Sequence, residues 1–221
     1  VSVNVPVSDP AFDYRKLSGS ADYLILMAYD EHWATGAPGP IASLPWFSKV
    51  LRQRQHDVPA DKMIVAIGNY AYDWEKGRPA EERTFEEAVL VAKESEGNIR
   101  LDPASLNPTF DYADDDDHIH HVWMLDAVTA FNQLAVIRSV QPHGIALWRL
   151  GSEDPALWKL FGHNGPLDAT RAAQLGDISF GYGLDYEGKG EVLEITAQPQ
   201  PGRRTIEFDP KRRLITGEHY T

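Results

Sequence analysis

The chain has 221 residues, 43% of them hydrophobic and 24% charged, which is enough apolar mass for one large domain or for a medium and a small one. A net charge of −12 argues against holding a phosphate backbone, so no nucleic-acid partner is expected, while a neutral polymer such as a polysaccharide remains compatible. The absence of cysteine excludes disulfides and thiolate metal sites, and no apolar run reaches the length of a membrane span.

Val1 to Val7 alternates strictly, as a strand does, with Pro6 acceptable only near its end. A connector at Asp9-Pro10 leads to a short helix around Phe12 to Leu17. Asp22 to Ala28 is then a continuous apolar run of the kind found in parallel sheets covered on both faces, and it ends abruptly in Tyr29, Asp30, Glu31 and His32. The loop Gly36 to Pro40 precedes Ser43, a helix cap, with Phe47, Val50 and Leu51 at helical spacing up to Val58-Pro59. Lys62 to Gly68 is a third buried strand, followed by Asn69, Tyr70, Tyr72, Asp73 and Trp74. Strand, helix, strand, helix, strand in this order predicts a parallel sheet with crossovers.

After Trp74 the rhythm changes. Thr84 to Glu87 is a capping box opening a helix, and β-like pieces follow at Ile99 to Leu101, Pro108 to Tyr112 and Ile119 to Trp123. This pattern predicts a small α+β insertion over about 75–122. Asp126 caps a helix that runs to Val140 and stops at Pro142; Gly144 to Trp148 is a fourth buried strand, and Asp154-Pro155 starts a short helix. The composition then shifts, and 176–221 reads as a glycine-punctuated, β-rich segment after a boundary near Pro166 to Gly176.

If the strands are parallel, the clusters following Met27, Gly68 and Leu147 share one rim, where α/β barrels carry their chemistry. Aromatic faces with a few hydrogen-bonding groups suit sugar rings, which offer apolar C–H faces and hydroxyl edges. Two further clusters favour blander readings. Asp114 to Asp117 lacks the alternating ligands and glycine of a calcium loop and reads as a solvated tip. His118 and His120 fall on one face of a strand, but with no third ligand at a predictable position they read as exposed or hydrogen-bonded histidines; no metal and no cofactor is assigned.

The order Met27-x-Tyr29-Asp30, then Lys62 through Tyr70, Tyr72 and Trp74, then Gly144 to Trp148, resembles glycoside hydrolase family 18, the chitinase-like (β/α)8 barrels. Tyr29 to His32, Gly68 to Trp74 and His121 to Trp123 are most similar to a branch found beside polysaccharide deacetylase and family 2 glycosyltransferase domains in large bacterial proteins. The resemblance implies an α/β fold: the second half of a TIM barrel (strands 5–8) over 1–165, with the insertion between the last two strands. It further implies a parent protein that supplies the rest of the barrel and further catalytic domains, a deacetylase among them, and that is extracytoplasmic or membrane-associated.

By the same resemblance, Tyr29 hydrogen-bonds the N-acetyl group of a GlcNAc-containing polysaccharide and Asp30 sits beside the catalytic acid. Trp148 floors the subsite under the reacting sugar, and Met27, Asn69 and Tyr70 are substrate-binding positions. The reaction so implied is substrate-assisted retaining hydrolysis. The departure is that no Asp-x-x-Asp-x-Asp-x-Glu occurs in the 221 residues, so the family's general-acid Glu is not in this chain. The chain alone is therefore expected to be inert. The alternatives are a non-hydrolytic, lectin-like carbohydrate-binding module or a scaffold half-barrel.

Overall fold

A computed structural model describes residues 1–161, 165–189 and 192–220, the last two ranges without the side chains of 177–202. Four strands, β1 (Ser2–Pro6), β2 (Tyr23–Met27), β3 (Met63–Gly68) and β9 (Gly144–Trp148), form one sheet in the order β1-β2-β3-β9, every neighbouring pair parallel. The crossovers carry α1 (Tyr14–Ser20), α2 (Leu44–Arg54) and α4 (Ala127–Val140). Each helix starts where a side chain satisfies an otherwise orphaned amide: Asp13 accepts from Lys16, Ser43 from Trp46 and Asp126 from Thr129. The first helix thus begins at Tyr14, two residues beyond the expected start, because Asp13 is its cap.

One face of this sheet is packed by the helices. Val5, Leu24, Leu26, Met63, Val65 and Ile67 are buried against Phe47, Leu51, Phe131 and Ile137. The other face is open. Strand register lines up Asn4, Ile25, Ile64 and Gly144 in one row and Pro6, Met27, Ala66 and Ala146 in the next. Of these, Asn4 is exposed and Ile25, Met27, Ile64 and Ala146 are only half-buried. Parallel sheets are stable when both faces are covered, so this apolar face has the character of a barrel interior.

The expectation of a buried fourth strand is corrected here. Ile145 is 39% exposed and Trp148 49% exposed. Among the described residues β9 pairs on one side only, with β3, so its apolar composition marks a strand whose outer edge is uncovered.

The insertion contains β4 (Ala71–Glu75), β5 (Glu81–Arg83), α3 (Phe85–Glu94), β6 (Arg100–Leu101), β7 (Pro108–Ala113) and β8 (Ile119–Met124). Tyr72 and Trp74 belong to β4 rather than to a loop after β3. The period-two alternation of a strand turns them toward Ile41, Tyr70 and Leu125, while Ala71 on the other face joins Phe85, Val89, Phe110, Val122 and Met124. The capping box at Thr84 and Glu87 is formed.

Beyond β9, a 3-10 turn (Pro155–Lys159) and α5 (Ala169–Ala173) lead to three antiparallel strands, β10 (Asp177–Lys189), β11 (Val192–Asp209) and β12 (Leu214–Tyr220). The strand expected at Glu191 to Ala197 falls where only backbone is described, and Glu191 itself lies outside the described residues. β12 pairs with β6 through His219 and Arg100, so the C-terminal strands continue the insertion's sheet in the order β10-β11-β12-β6-β7-β8-β4-β5.

Two buried polar contacts fasten β11 and β12 to α4. The Asn132 amide donates to the Ile215 carbonyl (2.8 Å) and accepts from its N–H (2.7 Å). Arg204, with no side-chain exposure, lies 3.0 Å from Asp126, 2.6 Å from Asp154 and 3.3 Å from Glu218.

Candidate functional site

Because β2, β3 and β9 are parallel, the residues that follow their C-terminal ends meet at one rim. Tyr29 is half-buried, edge-on to Tyr70 at 6.1 Å and stacked on Trp148 at 6.4 Å with 19° between the planes. Trp148 keeps 49% of its surface free, which leaves an indole at the rim available to a ligand. Main-chain bonds hold the three strand ends together: the Asn69 N–H donates to the Trp148 carbonyl (2.7 Å), and the Ala28 N–H donates to that of Ala66 (3.0 Å).

Asp30 adopts a left-handed backbone (φ 62°), a region that Asp enters more readily than most residues. Its Oδ1 accepts hydrogen bonds from the hydroxyl of Tyr70 and, at 3.2 Å, from that of Tyr72. Burial first, and then the Asp30 charge, push the Tyr29 phenol up to about 12. The same two causes raise Tyr70 and Tyr72 further. All three phenols therefore stay protonated at neutral pH, and those of Tyr70 and Tyr72 donate to Asp30.

The six positions singled out in the sequence gather at this rim but in two layers. Met27, Tyr29, Asp30 and Trp148 retain solvent exposure; Asn69 (0% exposed) and Tyr70 (2% exposed) lie beneath them. Tyr70 spends its hydroxyl on Asp30. The Asn69 carbonyl accepts from Ser152 Oγ (2.6 Å), whereas both polar atoms of its side chain are buried without a partner. A buried amide of that kind costs stability unless something completes it, so it marks a place where a water or a ligand group is wanted.

Sequence reasoning missed Ser152 and the Arg149–Glu82 ion pair (3.3 Å), which ties the residue after Trp148 to the insertion. Neither has a local pattern, since each partner lies far away along the chain. A cavity of about 410 Å³ between α2, α4 and β12, lined by Leu44, Arg52, Leu106, Val136 and Leu214, contains none of the rim residues. Met27, Tyr29 and Trp148, the shelf of the rim, keep part of their surface open to solvent.

No family model matches the chain. It is 30% identical over 150 residues to the uncharacterized glycosylase YvbX of Bacillus subtilis, a match that covers 67% of this chain and 44% of that protein. It is 28% identical to the cortical fragment-lytic enzyme of the same organism, over 68% of this chain and 36% of the enzyme. The chain thus spans less than half the length of these curated relatives. Among solved structures, the spore cortex-lytic enzyme SleL of Bacillus cereus superposes with a TM-score of 0.64 at 25% identity, covering 72% of this chain and 40% of SleL. A chitinase from Chromobacterium violaceum does so with 0.64 at 29%, covering 72% and 52%. The fold is accordingly that of part of a chitinase-like (β/α)8 barrel, with four parallel strands, their helices and an α+β insertion before the last strand.

Proposed function

We propose that this chain is the acetamide-orienting part of a glycoside hydrolase that acts on a GlcNAc-containing polysaccharide. The observation that carries this reading is the rim itself: the Tyr29 phenol stacked on the half-exposed indole of Trp148, beside a carboxylate fixed by two tyrosines. The names of the similar proteins, cortex-lytic enzymes, glycosylases and chitinases, support it.

In this reading the sugar's apolar face lies on Trp148, with Met27 on the same shelf and Asn69 buried beneath it. Tyr29 donates to the acetamide carbonyl oxygen, holding it for attack on the anomeric carbon. That is substrate-assisted retention, in which the substrate supplies the nucleophile. Asp30, held by Tyr70 and Tyr72, sets its carboxyl group beside the developing oxazolinium cation. No Asp-x-x-Asp-x-Asp-x-Glu occurs in these 221 residues, so none of them is assigned as proton donor to the leaving group. General-acid help is worth about 10²–10⁴-fold, so the chain alone should release no measurable sugar from a GlcNAc polymer.

The test is calorimetric titration of the chain with (GlcNAc)4 and with its fully de-N-acetylated counterpart. At least tenfold tighter binding of the acetylated oligomer is expected, and Tyr29→Phe should abolish that preference. Equal affinities for the two oligomers would contradict the acetamide role while leaving a general sugar platform intact.

A further inference from the structure

Away from the rim, the face of β4 opposite Tyr72 and Trp74 carries Asp73 and Glu75, and strand register sets His120 beside both Glu75 and Tyr112. Asp73 has 1% side-chain exposure. Its Oδ2 accepts from Arg83 Nε and from the Tyr112 hydroxyl, each at 2.8 Å, and its Oδ1 lies 2.8 Å from His120 Nδ1. An ionised carboxylate only accepts, so Nδ1, which also lies 3.1 Å from the Tyr112 hydroxyl, is the donor here, and in the neutral ring Nε2 is the nitrogen that carries the lone pair. That Nε2 is buried and has no hydrogen-bond partner.

The atom facing it is Asp114 Oδ2, 3.6 Å away. Asp114 is itself anchored: its Oδ1 accepts the backbone N–H groups of Asp116 (2.9 Å) and His118 (2.8 Å). Its free Oδ2 also lies 3.4 Å from His118 Nδ1, which is 3.4 Å from Glu75 Oε1. These separations are longer than good N–H···O bonds. They match the distance between neighbouring ligand atoms on a cation with bonds of about 2.0–2.1 Å, which in a tetrahedron is about 3.4 Å. Asp114, Asp116 and His118 each offer a ligand atom, the three mutually within 4.8 Å. His120 lies outside that group of three, so His118, with 52% side-chain exposure at the tip of the β7–β8 hairpin, would have to turn to share an ion seated between Asp114 and His120.

We infer that Asp114, His118 and His120 form a binding site for a divalent transition cation of the Zn²⁺ type, flanked by Glu75 and Asp116. Two imidazoles with carboxylates suit such an ion and not Ca²⁺ or Mg²⁺, which take oxygen ligands. Asp73 is the supporting group: a buried carboxylate on the far nitrogen of a ligating histidine fixes the ring and raises its basicity. The bound ion would clasp the hairpin tip to the end of β4. This site is independent of the sugar shelf, and neither reading rests on the other.

The test is titration of the chelator-stripped chain with Zn²⁺ by calorimetry, and with Co²⁺ followed by its visible absorption. One equivalent per chain is expected. His118→Ala, at an exposed tip where misfolding is not a concern, and His120→Gln should each weaken binding at least tenfold. His121→Ala should change nothing, because that ring faces Asp111 on the other side of the sheet. The inference is overturned by no saturable Zn²⁺ binding, by binding that survives both of the first two substitutions or is lost with His121→Ala, or by tighter binding of Ca²⁺ than of Zn²⁺.

Discussion

Replacing Arg204 by Met should destabilise the chain by about 3–5 kcal/mol, the usual cost of removing one partner from a buried ionic cluster. Asp126, Asp154 and Glu218 all converge on this guanidinium with no side-chain exposure, and Arg204 Nε also donates to the Leu175 carbonyl (2.7 Å). Without the cation, carboxylates at the start of α4 and at the 3-10 turn are left in a low-dielectric interior. Burial alone would lower the Arg204 pKa, but Asp154, Tyr220, Glu218 and Asp126 together raise it well above its usual value, so the cation persists at any working pH. Urea denaturation checks the prediction, and a change below about 1 kcal/mol, the scale of a surface pair, would contradict it. Hydrogen exchange should locate the damage in β12 and α4, the elements that the cluster and Asn132 fasten together.

Glu218 in the same cluster gives a pH signature. Burial first, and then the charge of Asp126, raise its pKa well above 4.5, against the lowering pull of Arg204. A folded-state pKa above the unfolded one contributes stability that is complete below the unfolded value. That contribution is lost as pH rises through the folded value. Stability should therefore fall from about pH 4.5 upward relative to Glu218→Gln, by at most about 1.4 kcal/mol per pH unit. Parallel stability profiles for the two proteins would contradict a raised Glu218 pKa.

Asp30→Ala is the second large effect. It removes the acceptor shared by Tyr70 and Tyr72 and strands a hydroxyl on a residue that is 2% exposed. It also places alanine at φ 62°. Together these should cost about 2–4 kcal/mol. Asp30→Asn keeps an acceptor and tolerates the left-handed backbone, so it should lose less than about 1 kcal/mol. If the two variants lose the same stability, Asp30 is not the anchor of the two tyrosines.

How far the sequence reaches can be judged from particular residues. The runs Tyr23 to Met27 and Met63 to Gly68 announce buried parallel strands because neither face admits polar groups. Ser43, Thr84 with Glu87, and Asp126 announce helix starts because capping is a local matter of three residues. The rim of Tyr29, Asp30, Tyr70 and Trp148 was legible through motif order, since parallel strands bring their ends together. The rest depends on partners distant along the chain. Trp148 ends an apolar strand, and only the strand order among the described residues shows that strand at an edge. Asp126 reads correctly as a cap, but its second role awaits Arg204, 78 residues away. Asp73, His120 and Asp114 have no common period, and they meet only through the register of β4, β7 and β8.

The central claim, a saccharide shelf floored by Trp148, is tested most directly by titrating (GlcNAc)4 against the wild-type chain and Trp148→Ala. Losing an aromatic platform of this size should weaken binding by tenfold or more, as expected when a sugar face stacks on an exposed indole. Equal affinity in both proteins would place any sugar-binding site elsewhere on the molecule.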